Sequence, residues 1–393
     1  MELLIGIAIG LFVLVFLVAV HELGHAIVAR RNGVVVKEFG IGFPPKAVSK
    51  KVKQSFLGKD VEYSWNWLPL GGFVRLKGEY DSASKKGDYG AASYWVKTKI
   101  LFAGVAVNWL VAALLLTILA WFGLPKIINN QFALANDSRV EVVQPAEITV
   151  VQVKDDSAAH EAGIKSGDKL VKVGSRLVSS NDDVAAALEG QGGKNLPITI
   201  NRDGDIRTVI TNLNKDSNSD KGLLGVAMSE RSARELIYAT WSAPIVGVGT
   251  TAQLTVLTFQ GLGDILVKLA TGLVDKFSAD EAVRLKGDQK IGYVSNGVSG
   301  PVGILGVIFP EMSQAGVRAT VFLAAIISLS LAVMNALPIP ALDGGRWIVM
   351  TVFKLRKKVL TREKEENIQA IGMTVLLGLI ILITIADIGK VLK

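Results

Sequence analysis

No cysteine occurs among the 393 residues, which excludes disulfides and thiolate metal sites. Histidine is nearly as scarce, with three residues, so any imidazole chemistry rests on a short list. Charge is missing from long stretches. Leu3 to Val20, Ile100 to Leu124, Ala319 to Leu342 and Ile368 to Ile385 contain no Asp, Glu, Lys or Arg. About 20 apolar residues cross a bilayer as a helix, so these runs predict a multi-pass α-helical membrane protein with about four transmembrane helices. A basic segment ahead of the first run is also missing, and the run is long. It is expected to stay as a membrane anchor rather than be cleaved as a signal peptide.

What is present includes a formal charge of +8. Its distribution argues against a nucleic-acid partner. Residues 30–99 carry +8, residues 126–230 carry −3 and residues 344–366 carry +4. Basic segments beside spanning helices stay in the cytoplasm. That rule predicts a plasma-membrane protein with the 30–99 and 344–366 loops inside and the segment between the second and third spans outside.

Four parts follow. Residues 1–125 hold two spans and a loop whose Val34–Gly42 and Val61–Leu76 stretches are apolar and β-prone, with turn signals at Pro44-Pro45 and Leu68-Pro69-Leu70-Gly71-Gly72. Such backbone at membrane depth must line a cavity or be buried in protein, so it reads as a re-entrant β-hairpin reaching towards the first helix. Residues 140–230 read as a soluble α/β domain. Strands are expected at 148–153 and 169–173, a helix at 181–188 capped by Asn181, and a hairpin over 197–211 turning at Asp203-Gly204. The stretch containing Gly163, Ile164, Gly167 and Asp168, in this order of elements, resembles a PDZ domain. That resemblance implies a groove where a peptide or substrate tail adds as a strand, with those four residues in the ligand loop. Residues 231–318 are expected to be interfacial and amphipathic, because 236–263 is rich in Thr, Ser, Gln and Gly and contains Pro244. Residues 319–393 carry the last two spans.

The first apolar run ends in His21-Glu22-Leu23-Gly24-His25. A helix puts residues four apart on one face, so both imidazoles can reach one ion with Glu22 beside them. Two neutral histidines and a glutamate base are the donor pattern of a zinc hydrolase. An ionisable cluster inside a spanning helix is costly, which makes function its expected reason. A catalytic zinc wants a third protein ligand on the same side. Asp343 suits it best, at the inner end of the third span, where Pro338 and Pro340 break the helix. Asp387 is the rival, expected at the opposite surface.

Together, His-Glu-x-x-His, the Phe102–Asn108 stretch, Gly300-Pro301-Val302-Gly303 and the Asn335–Gly345 segment resemble the site-2 protease family of intramembrane zinc metalloproteases. The likeness is to bacterial regulators of sigma-E protease, with one PDZ-like domain rather than two. Val105 stands where bacterial members commonly have proline. The resemblance implies a single Zn2+ per chain on His21, His25 and Asp343, Glu22 as catalytic base, and Asn335, Asn108, Pro338, Gly71 and Gly72 at the substrate. It further implies transmembrane protein substrates, such as anti-sigma-factor-like proteins or signal-peptide remnants. The alternatives are a catalytically silent PDZ-bearing scaffold and a zinc transporter, which should carry ligands on several helices along a path.

Overall fold

The computed structural model describes residues 1–215 and 222–391. The chain divides into two compact units. One comprises residues 1–124, 131–138 and 239–393, the other residues 125–130 and 139–238.

Helix α1 (Glu2–Arg31) carries the His-Glu-x-x-His stretch in its last three turns and buries Gly6, Gly10, Gly24 and both histidines. After it, strands β1 (Val36–Ser55) and β2 (Gly58–Leu76) fold into a sheet in which β1 meets β2 twice. Residues 36–41 pair with 72–76 on one side and, by the register Glu38↔Glu62 to Ile41↔Trp65, with 62–65 on the other. Residues 46–55 then pair back onto 58–66. The 72–76 stretch is therefore an edge, and it packs on α1: a Cβ added at Gly72 would lie 3.5 Å from the Glu22 Cγ and 3.4 Å from Val18. The sheet is braced by Glu38, 1% exposed, which accepts from Ser64 and pairs with Lys46 and Arg75. Trp65, Trp67 and Leu68 remain exposed. Helix α2 (Tyr94–Phe122) starts at an Ser93 cap and crosses α1 closely. Gly24 permits this, since a Cβ there would lie 2.9 Å from the Ala103 carbonyl oxygen.

The second unit is a sheet whose strands lie in the order 226–231, 147–153, 169–173, 195–202, 205–212, with the short helices α3 (Ala158–Glu161) and α4 (Asn181–Leu188). Ile148, Val150, Leu170, Val173, Val184, Leu188, Ile198 and Ile200 form its core. The hairpin turns at Asp203-Gly204, both at positive φ. The α4 cap is Ser180, in a reciprocal capping box with Asp183, rather than Asn181. The expected ligand loop is corrected. Ile164 is a core residue, and Asp168 is 1% exposed, with its carboxylate spent on the Arg202 guanidinium and the Lys165 N–H. Gly163 and Gly167 supply the positive φ of that tight turn. The start of α4 is tied to the edge strand 226–231, where the Asn181 N–H donates to Glu230. A cavity of about 720 Å³ is lined by Asp182, Ala185, Ala186 and Glu189 together with Gly190, Gly192, Lys215 and Leu223.

Among the described residues, where about four spans were expected, five helices are long and apolar enough to cross a membrane: α1, α2, α5 (Ala243–Lys276), α9 (Val317–Ala336) and α11 (Arg362–Val391, over 362–389). Helix α5 falls in the segment expected to be interfacial. Two features of the sequence hid it. Pro244 sits in its first turn, where proline is compatible with a helix. Three of its threonines satisfy themselves, with Thr251, Thr255 and Thr258 each donating to the carbonyl four residues back. The excursion that follows is paired. Helix α6 (Glu281–Gly297), α7 (Pro301–Gly303), a π-helical turn at Ile304–Ile308 and α8 (Phe309–Gln314) lead back to α9. The α9 Arg318 donates to the Phe122 carbonyl at the end of α2, the same end where the Ala239 N–H meets the Ala120 carbonyl before α5 begins. The chain thus returns to the level it left, and α9 can bring its far end to α1. Asp387, the rival ligand, is 3% exposed and accepts the Gly300 and Gly303 N–H groups at 2.7 and 3.0 Å. It caps α7 and faces no metal site.

Candidate metal centre

Helix α9 ends at Ala336, and the Pro338 and Pro340 segment turns into α10 (Asp343–Leu355) with Asp343 as its first residue. Gly344 and Gly345 allow this tight reversal: a Cβ on them would lie 2.3 Å from the Ala336 oxygen and 1.9 Å from the Ile339 oxygen. The turn is braced from α11, whose Gln369 accepts the Ala341 N–H at 2.6 Å. Arg346, one turn into α10, pairs with Glu365 and donates to the Glu79 carbonyl. Its guanidinium lies 4.8 Å from the Tyr89 ring. Burial pushes the Tyr89 hydroxyl up to about 12, so the ring stays neutral against that cation.

Within this frame three donor atoms converge. His21 Nε2 and His25 Nε2 lie 3.1 Å apart, and each is 3.2–3.3 Å from the Asp343 Oδ2. Donors about 2.0–2.1 Å from a tetrahedral zinc are about 3.3 Å apart, so the spacing fits the ion. The Asp343 Oδ2 is buried without a hydrogen-bond donor, and a cation is what such converging lone pairs need. Among the described residues this is the one His/Asp/Glu group of metal-binding geometry.

The ligands are oriented from behind. The His25 Nδ1–H donates to the Ile100 carbonyl at 2.7 Å, which leaves Nε2 free to ligate. The His21 Nδ1 lies 3.4 Å from the Asn108 amide, whose Oδ1 is buried and unpaired. With the amide turned over, that oxygen accepts the Nδ1–H and fixes the same tautomer. Asn108 is fully buried, with its backbone carbonyl held by Ser328 and its amide beside His21. Replacing Asn108 with Leu should weaken zinc binding about 10–100-fold in chelator competition while the protein stays folded; undiminished zinc affinity would remove this role.

Glu22, on the same turn as His21, is half-buried and lies beside the 72–76 edge strand. Gly72 sits over it, and Gly71 at φ 151° lies on the Phe43 ring. The structure places Asn335 half-buried in the last turn of α9 and Pro338 exposed beyond it. A polar cavity of about 400 Å³, lined by Asp343, Arg346, Glu365, Gln369, Glu79 and Tyr80, reaches the third ligand.

Sequence reading missed Gly104. A Cβ there would lie 2.5 Å from His25 Nε2 and 2.6 Å from His21 Cε1, so only glycine lets both rings stand against α2. The signal was its position four before Asn108, on the same helical face.

Comparison with known proteins gives a match to the family model described as Peptidase family M50 over residues 9–379. A Clostridium perfringens protein provisionally named as a zinc metalloprotease is 30% identical over 380 residues, covering 95% of each chain. An Agrobacterium fabrum protein with the same provisional name is 27% identical over 405 residues, covering 97% of this chain and 95% of its own. The Bacillus subtilis regulator of sigma-W protease RasP is 24% identical over 462 residues, covering 96% of this chain and 97% of its own.

Proposed function

The chain belongs to peptidase family M50, the site-2 protease family, and is a zinc metalloprotease of the membrane; from that premise we propose that it hydrolyses peptide bonds in or beside the transmembrane segments of membrane-bound substrates. The observation that carries this reading is the convergence of His21, His25 and Asp343 beside Glu22 within apolar helices.

His21, His25 and Asp343 hold the zinc. Zinc supplies Lewis acidity towards the scissile carbonyl and the attacking water. Glu22 accepts the proton of that water and passes it to the departing amine. Asn108 and Gly104 keep His21 and His25 in their ligating orientation. The polar cavity beside Asp343 admits water, while the surrounding helices meet lipid.

A helical substrate hides its carbonyls in i to i−4 bonds and must unwind before attack. The 72–76 edge offers unpaired main chain to an unwound strand within reach of Glu22. Gly71 and Gly72 keep that edge thin, and Asn335 and Pro338 flank the substrate from α9. The PDZ-like unit recruits a substrate tail at the cavity that α4 lines together with Gly190, Gly192, Lys215 and Leu223. The natural substrates are of the anti-sigma-factor or signal-peptide-remnant class. Basic loops hold the metal towards the cytoplasm and the PDZ-like unit outside.

The purified chain, reconstituted in vesicles with a tagged single-span substrate, should release a product that vanishes with chelator and returns with zinc. Gly72→Val in the same assay should lower turnover at least about tenfold, since a side chain there would occupy the space beside Glu22, with zinc content unchanged. Full turnover by Gly72→Val would take the hairpin edge out of the mechanism.

A further inference from the structure

At the other side of α10 from the metal ligands, a second cavity of about 280 Å³ is lined by Lys97, Lys354, Lys358, Tyr94 and Asp81, with Phe353 and Val359 among its apolar walls. We propose that it is a binding site for the phosphodiester headgroup of an anionic phospholipid of the leaflet on that side.

The charges are arranged for an anion. Asp81, the one carboxylate in the lining, is already neutralised: Lys97, 8% exposed at its side chain, pairs with it. Lys354 and Lys358 are left in excess, and among the described residues neither is ion-paired. Lys354 stands 3.7 Å from the Tyr94 ring centroid, a contact that holds the ammonium over the cavity wall without cancelling its charge. Tyr94 is fixed in turn by Thr351 at 3.0 Å. The site is therefore built from both α2 and α10.

The surroundings select a lipid over a free anion. Tyr94 and Lys97 occupy the first turn of a candidate membrane-spanning helix, which sets the cavity at a membrane surface. Trp95, Leu355 and Val359, 70–76% exposed, flank the lysines. A soluble phosphate has no use for an apolar rim, whereas acyl chains do. The run Lys354-Leu355-Arg356-Lys357-Lys358 adds the juxtamembrane charge that draws acidic lipids to a surface.

The site also has a route to the chemistry. Helix α10 begins with Asp343 and ends at the cavity, and Trp347, midway along it, donates to Thr98 of α2. A headgroup bridging Lys97 and Lys354 would tie α2 to α10 at the end opposite the zinc ligand.

The test uses the full-length chain in lipid nanodiscs of phosphatidylcholine alone or with a third phosphatidylglycerol. Retained lipid is counted by native mass spectrometry after detergent extraction. The parent should keep phosphatidylglycerol preferentially, and Lys354→Glu with Lys358→Glu should lower that preference by about fivefold or more per lysine. Arg356→Glu with Lys357→Glu makes the same charge change outside the cavity and should leave the preference near the parent's. Zinc content, equal in all three, checks that each is folded. Equal losses in both pairs would mean diffuse surface charge and overturn the proposal, as would no loss in either. Displacement of the lipid by millimolar inorganic phosphate would overturn its lipid character.

Discussion

Glu22→Gln is expected to abolish cleavage and leave the zinc in place. Glu22 is not among the converging ligands, which are His21, His25 and Asp343. It lies on the same helix as both histidines, beside the 72–76 edge strand. Glutamine keeps the shape, but it cannot take a proton from water. General-base catalysis of this kind is worth about 10²–10⁴-fold, so turnover should fall by at least that range with one zinc per chain still found by metal analysis. Loss of zinc in Glu22→Gln would make Glu22 a ligand. Retained turnover would move the base elsewhere.

The second large effect comes from a single methyl group. Gly104→Ala puts a carbon 2.5 Å from His25 Nε2 and 2.6–2.7 Å from His21, closer than packed atoms sit. Either the two imidazoles rotate off the metal, or α1 and α2 separate where Gly24 has brought them together. Both outcomes break a ligand set that has no spare donor. Zinc affinity should fall at least as far as when an outer-shell partner is lost, about 10–100-fold, and cleavage with it. Excess zinc should restore part of the activity, which separates a distorted site from an unfolded one. Unchanged zinc affinity in Gly104→Ala would mean that the histidines do not stand against α2 as described.

The metal-binding residues were legible because their signal is chemical and local. Two histidines four apart in an uncharged helix, and an aspartate after a proline-broken one, are conspicuous wherever the rest of the chain goes. The hairpin was legible for a similar reason, since apolar β-prone sequence inside a basic loop has few places to be. Helix α5 was not. Its threonines and Pro244 count as polar and disruptive in composition, and only the i to i−4 hydroxyl bonds reveal a helix content in lipid.

The ligand loop expected in the second unit is a different case. Gly163 and Gly167 look like a ligand loop because their turn needs positive φ, and so does the Gly222–Gly225 stretch just before the edge strand. Residue type cannot separate the two turns. What does is the buried Asp168–Arg202 pair, formed between residues 34 apart, and the strand order that puts 226–231 at the edge beside α4. Asn108 illustrates the same limit. A neutral amide in an apolar helix needs a partner, and sequence alone does not say whether that partner is substrate or His21.

The most direct measurement is an anomalous-scattering map of the full-length protein at the zinc edge. A single peak is expected within about 2.0–2.1 Å of His21 Nε2, His25 Nε2 and an Asp343 carboxylate oxygen. A peak bound by other residues, or a zinc that leaves Asp343 uncoordinated, would contradict the account.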